Sequence, residues 1–239
     1  MRYNITMFLK LPKYTAALLV FLLTLIPVNF VYGDNFQWAG LGGLYLFASD
    51  NVPEGPPAAI IPGVGFSASW QVHDFLRIEV TEDVYFNNYE FNAKYGYPMA
   101  CSPENRSAFV IGLLTAAQVT GHFPIGSNGI AARVYGGPAI DIRIVTLAFG
   151  LNHPADFSGK IETDAKMQTK EISKYFWGNG RWFLPVFGTG MDFPLSEHFL
   201  LGFDFRVWFP MYRLWTNENI PAIDGWRFGA GLRITPRKL

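Results

Sequence analysis

General acid–base or metal chemistry would have to run through four histidines, His73, His122, His153 and His198. One of them has the right company for nucleophilic catalysis. In the stretch NHPADFSG, His153 stands close to Asp156 and Ser158, the residue types of a base, its orienting carboxylate and a hydroxyl nucleophile. That trio lies in a long connecting segment that enforces no hydrogen-bonding geometry, so no catalytic residue is expected. His73, His122 and His198 fall beside short turns, and no His/carboxylate spacing groups them as metal ligands. The single cysteine, Cys101, excludes an internal disulfide framework and a cysteine-based zinc site. The expectation is no enzyme, no metal and no cofactor.

A second set of ionisable residues is far more ordered. Arg77, Arg133, Arg143, Arg206, Arg227 and Arg233 recur with Glu79, Asp83, Asp141, Asp192 and Asp204 inside segments whose apolar residues have period two. In 63–72 one parity is Val64, Phe66, Ala68, Trp70, Val72 and the other is Gly63, Gly65, Ser67, Ser69, Gln71. In the next run Leu76, Ile78, Val80, Val84 and Phe86 oppose Arg77, Glu79, Thr81 and Asp83, with Glu82 the one exception. The pattern returns in 108–123, 130–145, 182–193, 199–209 and 226–234, while the faces of the first run, Trp38–Phe47, stay ambiguous. These are strands with one apolar and one polar face. The six arginines and five carboxylates nearly balance, as charges packed across a narrow interior must if each is to be paired. All lysines beyond residue 33 lie in connections or the tail. Guanidinium suits enclosed, multiply hydrogen-bonded pairs, and ammonium prefers water.

Eight such strands leave connections at about 48–59, 73–74, 87–107, 124–129, 151–180, 194–198 and 213–224, of 12, 2, 21, 6, 30, 5 and 12 residues. Strict alternation of long and short describes an up-and-down meander. Arg2, Lys10 and Lys13 precede the apolar run Ala16–Pro27, and Val31-Tyr32-Gly33 follows, which reads as a secretory signal over 1–33 ahead of a single domain over 34–239. Without the first 33 residues the count falls to 16 basic against 19 acidic, a net of −3, which offers no field for nucleic acid. Aromatics make up 17% of the chain and charged residues 16%, against about 25% charged in a soluble domain. Beyond the signal no apolar run is long enough to cross a membrane as a helix. A soluble sheet protein would also alternate, but its wet face favours Lys, Glu and Thr. Here the polar parity is crowded with Gly63, Gly65, Gly112, Gly188, Gly190, Gly202, Gly229 and Gly231, and the other parity is strongly aromatic. The fold class is therefore all-β: an eight-stranded antiparallel up-and-down transmembrane barrel.

In this the chain resembles the small eight-stranded bacterial outer-membrane barrels, the group of the OmpA membrane domain, OmpX and OmpW. The sharpest local match is the final strand, where Arg227, Gly229, Leu232 and Ile234 fit the polar-x-Gly-x-x-hydrophobic-x-hydrophobic spacing of the assembly signal in such proteins. The match lacks the usual terminal aromatic, and Thr235-Pro236-Arg237-Lys238-Leu239 trails behind. The resemblance implies an integral outer-membrane location in a Gram-negative-type envelope, with membrane lipid and the barrel-assembly machinery as partners. It implies one of two roles. An OmpW-like barrel passes small hydrophobic molecules, for which Trp182, Leu184 and Trp208, bulky residues of the lumen parity, mark a candidate solute path. An OmpX-like barrel is non-conducting and contacts a host or partner molecule through its long loops. A third role, that of an outer-membrane lipid-modifying enzyme, would need the His153 trio.

Three local features carry their own expectations. Lys166, Lys170 and Lys174 recur every four residues, so 151–180 is a charged mobile loop or holds a short solvated helix. Tyr85, Tyr89, Phe91, Tyr95 and Tyr97 surround Cys101 in an aromatic connection that either binds partners or packs at the barrel rim. Pro138 and Pro185 each delete a ladder donor within a strand, which predicts irregular geometry at both.

Overall fold

A computed structural model describes residues 35–47, 60–92, 96–101, 108–147, 160–216 and 225–237. The expected signal over 1–33 lies outside these residues, as do His153, Asp156 and Ser158. The described chain forms β1 (Phe36–Phe47), β2 (Ile60–His73), β3 (Leu76–Asn92), β4 (Tyr97–Ala100), β5 (Ala108–Ile125), β6 (Ile130–Gly137), β7 (Ala139–Leu147), helix α1 (Lys160–Trp177), β8 (Val186–Pro194), β9 (Phe199–Trp208), a one-turn helix α2 (Arg213–Thr216) and β10 (Arg227–Pro236).

Every pairing is antiparallel. The ladder runs β1–β2–β3–β5, continues through β6 and β7 to β8, β9 and β10, and returns to β1 through Gly40↔Ile234 to Phe47↔Arg227. Closure removes every sheet edge, which a membrane demands because hydrocarbon offers no partner to a bare backbone amide. β6 and β7 are one wall strand interrupted only at Pro138, so the barrel has eight strands; β4 is a short hairpin extension on β3 beyond the wall.

Both prolines interrupt the ladder as expected, but neither shifts it. The pairs Ala116↔Ala139 and Val119↔Gly136 on either side of Pro138 keep one register. On the other flank Gly137↔Val186 and Ile140↔Phe183 also share a register, which sets Pro138 opposite Pro185. Each proline still accepts through its carbonyl, Pro138 from Ala117 N at 3.0 Å and Pro185 from Phe209 N at 2.8 Å. The missing donors cost one bond from Pro138 to β5 and one from Pro185 toward Phe209, and the inside–outside alternation passes through intact.

The period-two faces fall as the sequence predicts. Val64, Phe66, Trp70, Ile78, Phe86, Val119, Val134, Phe187, Phe203, Phe205, Leu232 and Ile234 are exposed on the outer wall, while the opposite parity is buried. Strand β1 is now assigned: Ala39, Leu41 and Tyr45 point inward, and Trp38, Leu44 and Leu46 point outward. Two connections differ from what the sequence suggests. β3 runs on to Asn92 rather than ending near residue 86, which carries Tyr89 inside, and 151–180 is chiefly the 18-residue helix α1. Neither a mobile loop nor a merely solvated helix describes this segment. Ile172 and Phe176, one turn apart, dock on Tyr89, Ala108 and Val110, while Lys166, Lys170 and Lys174 face away.

Candidate functional site: the lumen network

The alternation brings ten of the eleven predicted lumen charges into burial. Arg77, near the tight-turn end, is half-buried and donates to Gln37 Oε1 instead of to a carboxylate. The others form ion pairs across the barrel interior. Nearest that end, Arg233 Nη1 lies 2.5 Å from Glu79 Oε1, and Thr120 Oγ1 donates to the other Glu79 oxygen at 3.2 Å. Arg133 bridges two strands, with Nε 2.8 Å from Asp192 Oδ2 and Nη1 3.0 Å from Asp204 Oδ1. His122 lies 3.7 Å from Asp192 and so belongs to this network rather than to any metal grouping. Arg206 Nη1 lies 2.5 Å from Asp83 Oδ2. Toward the long loops, Arg143 Nε and Arg227 Nη1 converge on Asp141 Oδ2 at 2.6 and 2.5 Å.

Sequence reasoning missed a second layer of this network. Three aspartates each accept a hydrogen bond from a tyrosine as well: Tyr45 OH to Asp83 at 2.8 Å, Tyr85 OH to Asp141 at 2.8 Å and Tyr135 OH to Asp204 at 3.0 Å. The unit repeated in the lumen is thus tyrosine–aspartate–arginine. Charge-assisted bonds from both sides are what makes an ionised carboxylate tolerable away from water. The rings need space, and glycine provides it. A Cβ on Gly112 would come within 1.9 Å of the Tyr85 ring, and one on Gly188 within 2.3 Å of Tyr135. Gly63 does the same for Tyr45, while Gly65, Gly190 and Gly202 leave room for the aspartates and Arg133, so the glycines of the polar parity make space for the network itself. The available signal was parity: Tyr85 and Tyr135 share theirs with Asp83 and Arg133.

In the long-loop half an apolar layer fills the remaining space. Ile61, Leu114, Ala116, Ala139, Leu184, Val186 and Trp208 pack with Tyr45 and Tyr85. Of the three residues of the candidate solute path, Leu184 (1% exposed) and Trp208 (2%) sit inside this layer, and Trp182 (39%) stands outside it. Helix α1 then docks on the β3, β5 and β7 side of the long-loop end. Phe176 meets Tyr89 edge-on at 5.2 Å between centroids, and the Arg143 guanidinium lies 4.2 Å from the Phe176 ring centre. Arg181, just beyond α1, stacks on Tyr175 at 4.0 Å.

The four residues that match the spacing of an assembly signal divide between the two faces. Arg227 and Gly229 face inward and Leu232 and Ile234 outward on β10, the strand that closes the barrel on β1. His73 and His198 lie at tight turns, and among the described residues no group of three or more His, Cys, Asp or Glu could hold a metal ion.

An apolar-walled, polar-cored, closed barrel of eight antiparallel strands, with tight turns at one end and long connections at the other, is the fold of the small integral outer-membrane β-barrels. Among solved structures the chain is similar to the outer-membrane protein OprG of Pseudomonas aeruginosa (10% identity, 84% of this chain and 95% of that one, TM-score 0.48). It is also similar to Neisserial surface protein A (11%, 86% and 98%, TM-score 0.46) and to the N-terminal β-barrel domain of Pseudomonas aeruginosa OprF (13%, 85% and 98%, TM-score 0.42). No protein-family model and no curated protein sequence matches the chain.

Proposed function

We propose that the protein is a non-conducting outer-membrane barrel whose working surface is its long-loop end. The observation that carries this reading is the filled lumen: stacked tyrosine–aspartate–arginine units and an apolar layer around Trp208, with α1 docked on β3, β5 and β7 at the long-loop end. Passage of small hydrophobic molecules needs a gap near Leu184 and Trp208, and those side chains are packed instead. The described residues of the long-loop end offer a surface of the kind contact requires. Trp177, Trp182, Leu214 and Trp215 are exposed there, beside the outward lysines of α1. Large aromatics with a polar edge are the side chains that dominate recognition surfaces. The reading assigns the chain no reaction.

Liposome swelling tests it. Vesicles carrying refolded, full-length protein should take up small polar and small apolar solutes at the rate of empty vesicles. Uptake that rises with the amount of inserted barrel would overturn the non-conducting reading.

A further inference from the structure

The outer wall holds one residue that the lumen account leaves unused. Glu82, the exception to the alternation in β3, points outward. From the tight turn the outward positions of that strand run Leu76, Ile78, Val80, Glu82, Val84 and Phe86, before the polar Asn88 and Glu90. At about 3.3 Å per residue and the usual strand tilt they span about 25 Å, the height of a barrel's apolar band. Glu82 sits near the middle. Its rung partners are Phe66 on β2 and Thr115 on β5, and the rungs on either side are Val64–Val84–Leu113 and Ala68–Val80–Ala117. Thr115 Oγ1 donates to Glu82 Oε2 at 2.5 Å, and among the described residues it is the one hydrogen-bond partner of the Glu82 carboxyl.

A carboxyl at this depth is costly unless its polar atoms are satisfied, and hydrocarbon contains no water to satisfy them. Thr115 serves one oxygen. The other faces lipid. A second barrel is the partner that meets this need at the right height, because copies of one chain inserted in the same sense carry Glu82 at the same depth. A twofold axis along the membrane normal then sets Glu82 against Glu82. One carboxyl donates its proton to the other and, when both are protonated, the bond is reciprocal. Ala68 and Ala117, small residues on the adjoining rung, let the two walls approach closely, as small residues do between membrane segments. We propose that the β2–β3–β5 wall is the contact face for a second copy of this chain, with Glu82 and Thr115 as its polar centre.

Energy transfer between differently labelled full-length copies in lipid vesicles, followed as protein is diluted with lipid, reads this directly. Wild type should self-associate above the level of random encounter. Glu82→Gln keeps a donor and an acceptor and should retain association. Glu82→Leu should weaken it about tenfold, as expected for losing a membrane-embedded hydrogen-bonded pair. Phe205→Leu, on the far wall, should change nothing, and heat-modifiable gel mobility will show that each variant has folded. Random-level transfer for wild type, as for a wall covered by lipid alone, would overturn the proposal. So would equal association of the wild type and Glu82→Leu.

Discussion

Arg206 and Asp83 are 123 residues apart in sequence, on strands separated in the ladder by β10, β1 and β2, yet Arg206 Nη1 lies 2.5 Å from Asp83 Oδ2. The pair therefore spans the lumen, with Tyr45 holding the other Asp83 oxygen. Breaking one member leaves a buried charge with half its partners, which costs about 3–5 kcal/mol. Arg206→Met should lower the stability of the barrel by that order in equilibrium urea unfolding in lipid vesicles. Arg206→Met combined with Asp83→Leu should recover much of the loss. A single variant as stable as wild type would refute the plug as a stabilising element.

Gly112 and Tyr85 make a second coupled pair. A methyl group at 112 cannot coexist with the ring in its present place, so Gly112→Ala must push Tyr85 off Asp141. The expected cost is about 1–3 kcal/mol, typical of overpacking. In a Tyr85→Ala background the same change should cost little. Unfolding free energies in a double-mutant cycle should show coupling above about 1 kcal/mol, and additive effects would mean that the close approach is unimportant.

Phe176→Ala should release the cap without unfolding the wall. Ile172 and Phe176 are the buried anchors of α1, and the helix carries Lys166, Lys170 and Lys174 on its exposed side. Limited trypsinolysis at those lysines should accelerate several-fold while heat-modifiable mobility is retained. Cleavage at the wild-type rate would show that docking does not protect the helix.

The wall was legible in the sequence because hydrocarbon and a narrow polar interior impose opposite demands on alternate residues. Val64 to Val72 or Phe199 to Phe209 can satisfy both only with period two. β1 was not legible. In WAGLGGLYLF glycine occupies both parities, and only pairing with β2 and β10 turns Tyr45 inward. The arginines and carboxylates could be assigned to the lumen by parity, yet which pairs with which depends on barrel shear, a property of the closed sheet. Tyr85 escaped because an aromatic beside a long connection looks like a rim residue, and its partner Asp141 lies 56 positions away. The lysine spacing allowed a helix at α1 as one of two readings, but nothing local to Ile172 and Phe176 says that their target is Tyr89, Ala108 and Val110 on the wall. That two prolines face each other without a register shift is likewise visible only once β6 and β8 are paired.

The central claim is that the barrel is sealed, and single-channel recording in planar bilayers tests it most directly. Refolded wild-type protein, verified by heat-modifiable mobility, should insert and give no steady conductance step at any applied voltage. Asp83→Ala or Arg206→Ala, by loosening the plug, should produce at most brief, irregular openings. Discrete and stable conductance from the wild-type barrel would contradict the account.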